Sequence, residues 1–123
     1  MVVVNPDCHP LEVDHRPWGY YEVLLDSTYC KVKRITVNPG HRLSYQKHEK
    51  RKEYWTIVMG QGTILLNDEL QTLNPGDTIT IPREAWHRIG NRSDVPLVFI
   101  EVQHGDYFGE DDIIRSEDDY GRS

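Results

Sequence analysis

Short runs in which apolar and polar residues alternate, closed at near-regular intervals by turn residues, fill most of this chain. Val, Ile, Thr and Tyr dominate the runs, and no stretch holds the 3.6-residue period of an amphipathic helix. YYEVLL (20–25) and YCKVKRITV (29–37) lead into the Pro-Gly turn NPG (38–40). RLSY (42–45) precedes a charged loop, and YWTIVM (54–59) stops at GQG (60–62). TILL (63–66) and LQTL (70–73) flank an NDE turn, and TITI (78–81) ends at Pro82. WHRI (86–89) runs into GNRSD, and PLVFIEVQ (96–103) closes the series. About nine short strands at this spacing predict an all-β antiparallel sandwich or barrel.

The flanks read differently. Pro6, Pro10 and Pro17 disfavour both a helix and a central strand, so residues 1–19 are expected to form an extended arm. Residues 20–105 hold the strands, and 106–123 form a polar tail, either a short helix or an ordered segment. No repeat, low-complexity tract or second domain interrupts 1–123, which is read as one domain.

Composition narrows the class. At 123 residues, a hydrophobic fraction of 37% is enough for one core, and 10% aromatic content argues against disorder. No apolar run approaches the roughly 18–20 residues that cross a bilayer. The start, MVVVNPDCHP, lacks the basic region and long apolar stretch of a signal peptide. Cys8 and Cys30 are too few for a disulfide scaffold and show no C-x-x-C spacing, so reduced thiols in a cytoplasmic protein are expected.

The net charge of −6 is uneven. Up to Gly105 there are 13 acidic and 12 basic residues, whereas the rest has 7 acidic and 2 basic. Between Lys31 and Lys52 stand eight basic residues (Lys31, Lys33, Arg34, Arg42, Lys47, Lys50, Arg51, Lys52) and one acid, Glu49. A local basic cluster in an acidic chain does not provide the broad positive face that nucleic acids need. It suits a small anion such as a phosphate monoester.

The glycines frame the candidate chemistry. Gly40 is followed at fixed spacing by Gln46, His48, Glu53 and Gly60, and Gly76 by Pro82, His87 and Asn91. These stretches resemble the paired motifs of the cupin superfamily, G-x5-H-x-H-x3,4-E-x6-G and G-x5-P-x-G-x2-H-x3-N. The spacing is kept throughout, with Gln46 in place of the first His and Glu84 in place of the middle Gly. The resemblance implies a double-stranded β-helix, or jelly-roll barrel, with Gln46, His48, Glu53 and His87 as metal ligands. Strand geometry agrees: Gln46 and His48, two apart, face one side, and Glu53 and His87 on other strands can converge with them in a barrel mouth. This N/O donor set without thiolate suits one divalent ion among Zn²⁺, Fe²⁺, Mn²⁺, Co²⁺ and Ni²⁺. His9, His15, His41 and His104 are not expected to be ligands.

A narrower resemblance rests on RPWGYYEVL, KVKRITVNPG, LSYQKH, HRIGN and above all IEVQHGDYFGEDDIIRSEDDYGR. Together they look like the type II phosphomannose isomerase domain, usually fused behind a mannose-1-phosphate guanylyltransferase. That domain interconverts mannose 6-phosphate and fructose 6-phosphate. No guanylyltransferase activity is expected of this chain. The family's metal loop commonly reads Q-x-H-x-H-R-x-E-H-W, and Lys50 and Tyr54 depart from it. If position 50 or 54 serves catalysis, that role is altered here.

Isomerisation of an aldose to a ketose moves a proton between C2 and C1, and a bound phosphate positions the reacting carbons. Arg51 is the first candidate for the phosphate, followed by Lys33, Arg88 and Arg16, while Arg115 or Arg122 could close over the mouth. Lys31 and Lys33 share a strand face that Arg34 does not, and Arg88 points away from His87 if its strand is regular. Lys33, Glu84, Tyr45 and a bound water all stay open as the proton-transfer group. Two other readings compete. One is a non-catalytic cupin that binds a sugar phosphate or nucleotide sugar and acts with a separate guanylyltransferase chain. The other is a different cupin enzyme, acting on another sugar phosphate or as a dioxygenase-like protein with Fe²⁺ at the same site, the latter disfavoured by the basic cluster and Gln46. A homodimer sharing edge strands is expected on family grounds, with no nucleic-acid or membrane partner.

Overall fold

Alternation that reads as strand in the sequence is strand in the computed structural model, which describes residues 10–121. Cys8, His9 and Arg122 lie outside the described residues. Eleven strands occur among them: β1 Glu12–Arg16, β2 Gly19–Asp26, β3 Lys31–Val37, β4 Tyr45–Lys47, β5 Arg51–Met59, β6 Gly62–Leu66, β7 Glu69–Leu73, β8 Thr78–Ile81, β9 His87–Gly90, β10 Leu97–Gly105 and β11 Ile114–Glu117. They form two antiparallel sheets, of order β1-β2-β3-β10-β5-β8 and β11-β4-β9-β6-β7. The all-β architecture expected from the sequence is thus the one observed. No helix among the described residues is long and apolar enough to cross a membrane.

Period-two alternation turns one side of each strand inward, and cross-strand register stacks the inward residues in rows. At one end Val37 lies opposite Leu97. Next come Tyr21, Ile35, Phe99 and Ile57. A third row holds Val23, Lys33, Glu101 and Trp55, and a fourth holds Lys31, Gln103 and Glu53. The inward face therefore changes from apolar to charged along the same strands. Ile64, Leu73 and Ile89 of the second sheet and Trp18 complete the apolar end. Burying each large aliphatic or aromatic side chain there contributes about 1.5–3 kcal/mol, so the apolar end carries stability while the other end carries charge.

Three elements differ from the sequence reading. The strand expected over 42–45 is found at Tyr45–Lys47, and Arg42 makes only an isolated bridge to Gly90. β5 begins at Arg51 rather than Tyr54, because Arg51 and Glu53 alternate inward and compensate each other's charge. Among the described residues the tail contains no helix; it supplies β11, a strand that the sequence reading did not include, which pairs with β4. Among the described residues of the arm, Glu12–Arg16 form β1 on the edge of the larger sheet against β2.

Glu84, at the motif position where glycine is usual, has a φ of 63° and donates its backbone N–H to the His48 carbonyl at 2.7 Å. An L-residue held there costs about 1–2 kcal/mol, part of which glycine's larger unfolded-state entropy takes back. Glu84→Gly is therefore expected to raise the melting temperature by about 2–5 °C. A lower melting temperature in thermal denaturation would show that the carboxylate contributes more than the strain it causes.

Candidate metal centre and anion pocket

β4, β5 and β9 bring three donors together at the charged end of the barrel. His48 follows β4, Glu53 is the third residue of β5, and His87 opens β9. One ligand atom from each lies within 4.8 Å of the others, and all three side chains are buried. Gln46 faces the same cavity, and its Cα pairs with that of His87 across β4 and β9.

Backbone acceptors fix both rings. His48 Nδ1 lies 2.6 Å from the Asp112 carbonyl and His87 Nδ1 2.9 Å from the Ala85 carbonyl. A carbonyl accepts only, so each Nδ1 carries the proton and each Nε2 presents a lone pair. Burial, together with the Arg51 charge, lowers His48 to about 4, and burial lowers His87 as well. Both rings are neutral at pH 7, the form that metals bind. His48 Nε2 is 3.3 Å from Glu53 Oε2, yet with His48 neutral this contact is two acceptors facing each other. A cation resolves that arrangement. The donor types, the fixed tautomers and the separations fit one divalent ion, which His48, Glu53 and His87 would hold.

Glu53 is 1% exposed and heavily compensated. Its Oε2 accepts from Arg51 Nε at 2.9 Å and its Oε1 from Trp55 Nε1 at 3.0 Å. Burial alone would raise its pKa, but Arg51 and hydrogen bonding hold it down at about 2. Glu101 takes the opposite course: burial and the Glu53 charge push it up to about 7. Trp55 Nε1 also reaches Glu101 Oε1 at 3.1 Å, and Gln103 Nε2 donates to Glu101 Oε2 at 2.8 Å.

The donors lie in the wall of a cavity of about 290 Å³. Arg16, Lys33, Arg51 and Arg115 line it from the cationic side, and Glu101 and Glu110 are its further carboxylates. Arg51 Nη1 and Ser44 Oγ, both buried, have no hydrogen-bond partner among the described residues. Leaving a buried donor unmet costs about 1–3 kcal/mol, so these two atoms point to a polar ligand.

Of the residues singled out in the sequence, the structure gathers Gln46, His48, Glu53, His87, Arg51, Lys33, Arg16 and Arg115 around this cavity. It does not bring Arg88, Glu84 or Tyr45 there. Arg88 alternates with His87 on β9 and donates to the carbonyls of Leu43 and Glu117, beside a different cavity. Tyr45 bonds Asp68 and packs on Trp86. Lys50 and Tyr54, the two departures from the loop pattern, are exposed; Lys50 Nζ lies over the Tyr107 ring, and Tyr54 is on the outer face of β5. His15, His41 and His104 do not line the cavity.

Sequence reasoning missed four residues. Glu101 and Gln103 continue the inward alternation of Leu97 and Phe99, a signal that was present in PLVFIEVQ. Glu110 and Asp112 belong to the acidic tail. The Asp112 carboxylate accepts the N–H groups of Glu49 and Lys50 at 3.1 and 3.0 Å, while its carbonyl holds His48. Gly105 lets the tail approach: a Cβ there would lie 2.3 Å from the Lys50 carbonyl oxygen.

Comparison with known proteins bears on the family and the fold. The family model described as mannose-6-phosphate isomerase C-terminal matches residues 7–118. The chain is 45% identical over 109 residues to the xanthan biosynthesis protein XanB of Xanthomonas campestris pv. campestris, covering 89% of this chain and 23% of that protein. It is 44% identical over 108 residues to the mannose-1-phosphate guanylyltransferase ManC of Salmonella typhimurium, covering 88% of this chain and 22% of that protein. The chain thus spans less than a quarter of either relative. Among solved structures, a cupin-2 domain from Rhodospirillum rubrum superposes with a TM-score of 0.65 at 22% identity, over 76% of this chain and 67% of that one, and shares its fold.

Two outcomes are expected. Asp112→Ala frees the loop that carries His48 and should weaken divalent-metal binding by roughly 10–100-fold in calorimetric titration, with the ligands themselves intact. Because the folded-state pKa of His48 is depressed to about 4, the unfolded chain binds more protons between about pH 6.5 and 4, and metal-free protein loses stability as pH falls through that window. Denaturant titrations at pH 7.5 and 5 should show a smaller loss for His48→Gln than for wild type; an equal loss would assign the pH dependence to other groups.

Proposed function

The chain belongs to the mannose-6-phosphate isomerase C-terminal family, and from that premise we propose that it is a metal-dependent aldose–ketose isomerase that interconverts mannose 6-phosphate and fructose 6-phosphate. The observation that carries the reading is the meeting, in one cavity, of two neutral imidazoles and the ionised Glu53 carboxylate with a wall of guanidinium and ammonium groups. A volume of about 290 Å³ is at the low end for ligand pockets and suits one phosphorylated monosaccharide rather than a polymer. The guanylyltransferase relative is named for a mannose phosphate substrate, which supports a mannose phosphate here too.

Each residue has a part to play. His48, Glu53 and His87, with the Gln46 amide beside them, would hold the ion, which when bound supplies Lewis-acid polarisation of a sugar oxygen. Arg51 has Nη1 unspent and anchors the phosphate end together with Lys33 and Arg16. Fixing the phosphate holds C1 and C2 against the groups that exchange the proton, converting binding energy into orientation. Among the proton-transfer candidates Lys33 lines the cavity, and Glu101 and Glu110 are carboxylates besides Glu53 that line it as well. Lys50 and Tyr54 point elsewhere, so their departure from the family pattern leaves the reacting groups in place. We place the chain in the cytoplasm, where sugar phosphates are found.

The test is a coupled assay on chelator-treated protein reloaded with Zn²⁺, Mn²⁺, Fe²⁺, Co²⁺ or Ni²⁺. Fructose 6-phosphate should form from mannose 6-phosphate only with metal, and His48→Ala or His87→Ala should lower kcat by roughly 100-fold or more. Arg51→Ala should raise KM by about tenfold, whereas Lys50→His and Tyr54→His should stay within about twofold of wild type. Stoichiometric metal without turnover would move the reading to a sugar-phosphate-binding cupin or to another sugar phosphate.

A further inference from the structure

The anion pocket is already partly filled by a residue of the chain. Glu110 reaches in from the tail, and its Oε2 lies 2.7 Å from Lys33 Nζ and 3.7 Å from Lys31 Nζ. The two lysine side chains are 4% and 9% exposed, whereas that of Glu110 is 40% exposed. A buried ammonium without a counter-charge is strongly destabilising, so a fold that prepares cations for a ligand must supply them with an anion when the ligand is absent. Glu110 does this from the solvent side. Both of its ion-pair contacts use one oxygen, which leaves the carboxylate loosely held compared with Glu53.

The tail's anchors do not depend on this contact. The Asp106 N–H donates to the Lys50 carbonyl at 3.0 Å, and the Asp112 carboxylate takes the N–H groups of Glu49 and Lys50. Between these anchors Tyr107 and Asp111 bond each other, and Glu110 projects towards the lysines. Rotation of the Glu110 side chain alone can therefore expose Lys33 while the strap stays in place.

We propose that Glu110 is a selectivity-determining residue, a tethered carboxylate that competes for the phosphate subsite and yields it only to an anion of higher charge. A phosphate monoester carries about −1.5 to −2 at pH 7 and three acceptor oxygens, so it replaces the single carboxylate with gain. A monoanionic sugar acid offers no more than Glu110 already supplies, and a neutral sugar offers less. This inference rests on the reading of the cavity as a sugar-phosphate site.

Calorimetric titration of metal-loaded protein with inorganic phosphate and with glucuronate tests it. Glu110→Gln should bind phosphate about tenfold tighter than wild type and should bind glucuronate measurably, narrowing the preference between the two. Asp106→Asn removes the same charge from the tail outside the pocket and should leave both affinities within about twofold. If Glu110→Gln does not fold, Glu110→Asp, which withdraws the carboxylate by one methylene, should shift phosphate affinity in the same direction by a smaller factor. Weaker or unchanged phosphate binding in these variants, an equal gain in Asp106→Asn, or no phosphate binding by any of them overturns the proposal. None of these readouts needs turnover, so a failed isomerase assay beside a tighter Glu110→Gln variant would sink the reaction and leave the competitor standing. Turnover with unaltered phosphate affinity would do the reverse.

Discussion

Taking the Glu53 carboxylate out of water costs several kcal/mol unless donors and charges meet it on every side, and the candidate site is built from what meets it. Arg51 stands two residues earlier on the same strand face, and Trp55 two residues later. Their bonds to the two oxygens hold Glu53 ionised at 1% exposure. The cost of a second charge so close falls on Glu101, which is pushed up to about 7. Arg51 also turns Nη2 towards His48 Nε2 at 3.4 Å, so one guanidinium faces acceptors of both His48 and Glu53, two of the residues that would hold a metal ion. The same group lines the pocket proposed for phosphate. Metal centre and anion pocket therefore share a wall, and a change at Arg51 is felt in both.

The acidic tail is the other half of this electrostatic arrangement. Its five surplus negative charges look, in the sequence, like a solvated appendage to a nearly neutral body. In the structure three acidic residues of the tail lie over the basic stretch: Glu110 on Lys33 and Lys31, Asp112 on the backbone of Glu49 and Lys50, and Asp119 on Arg42 at 2.7 Å. Arg42–Asp119 is exposed on both sides and contributes little. Asp112 matters more, because its carbonyl sets the His48 tautomer while its side chain satisfies two loop N–H groups.

How much of this was legible follows from what makes each signal local. The strands were readable because alternation is a property of consecutive residues, and the meeting of His48, Glu53 and His87 was readable because the motif spacing encodes strand and turn lengths. β5 was read three residues short because KRKE looks like a loop; only the partners across the sheet show that Arg51 and Glu53 face inward. β11 and the Glu110 and Asp112 contacts were not readable, since nothing within the tail records which surface it covers. Arg88 shows the intermediate case. Alternation with His87 already pointed it away from the cavity, and the structure finds it bonded to the Leu43 and Glu117 carbonyls instead.

The two departures from the family loop illustrate why position on the strand outweighs identity in the motif. Tyr54 sits between the inward-facing Glu53 and Trp55, so any side chain there projects to the outer face, and its companion is Lys52, whose Nζ lies 5.3 Å from the ring centroid. Lys50 precedes the strand, and its backbone is engaged by Asp112 and Asp106 of the tail while its side chain lies over Tyr107. What the fold asks of position 50 is therefore a backbone that the tail can grip. A lysine meets that requirement as well as a histidine, and adds a cation against Tyr107 in the strap that carries Glu110. The substitution thus acts where the tail covers the pocket and leaves the cluster of His48, Glu53 and His87 unchanged.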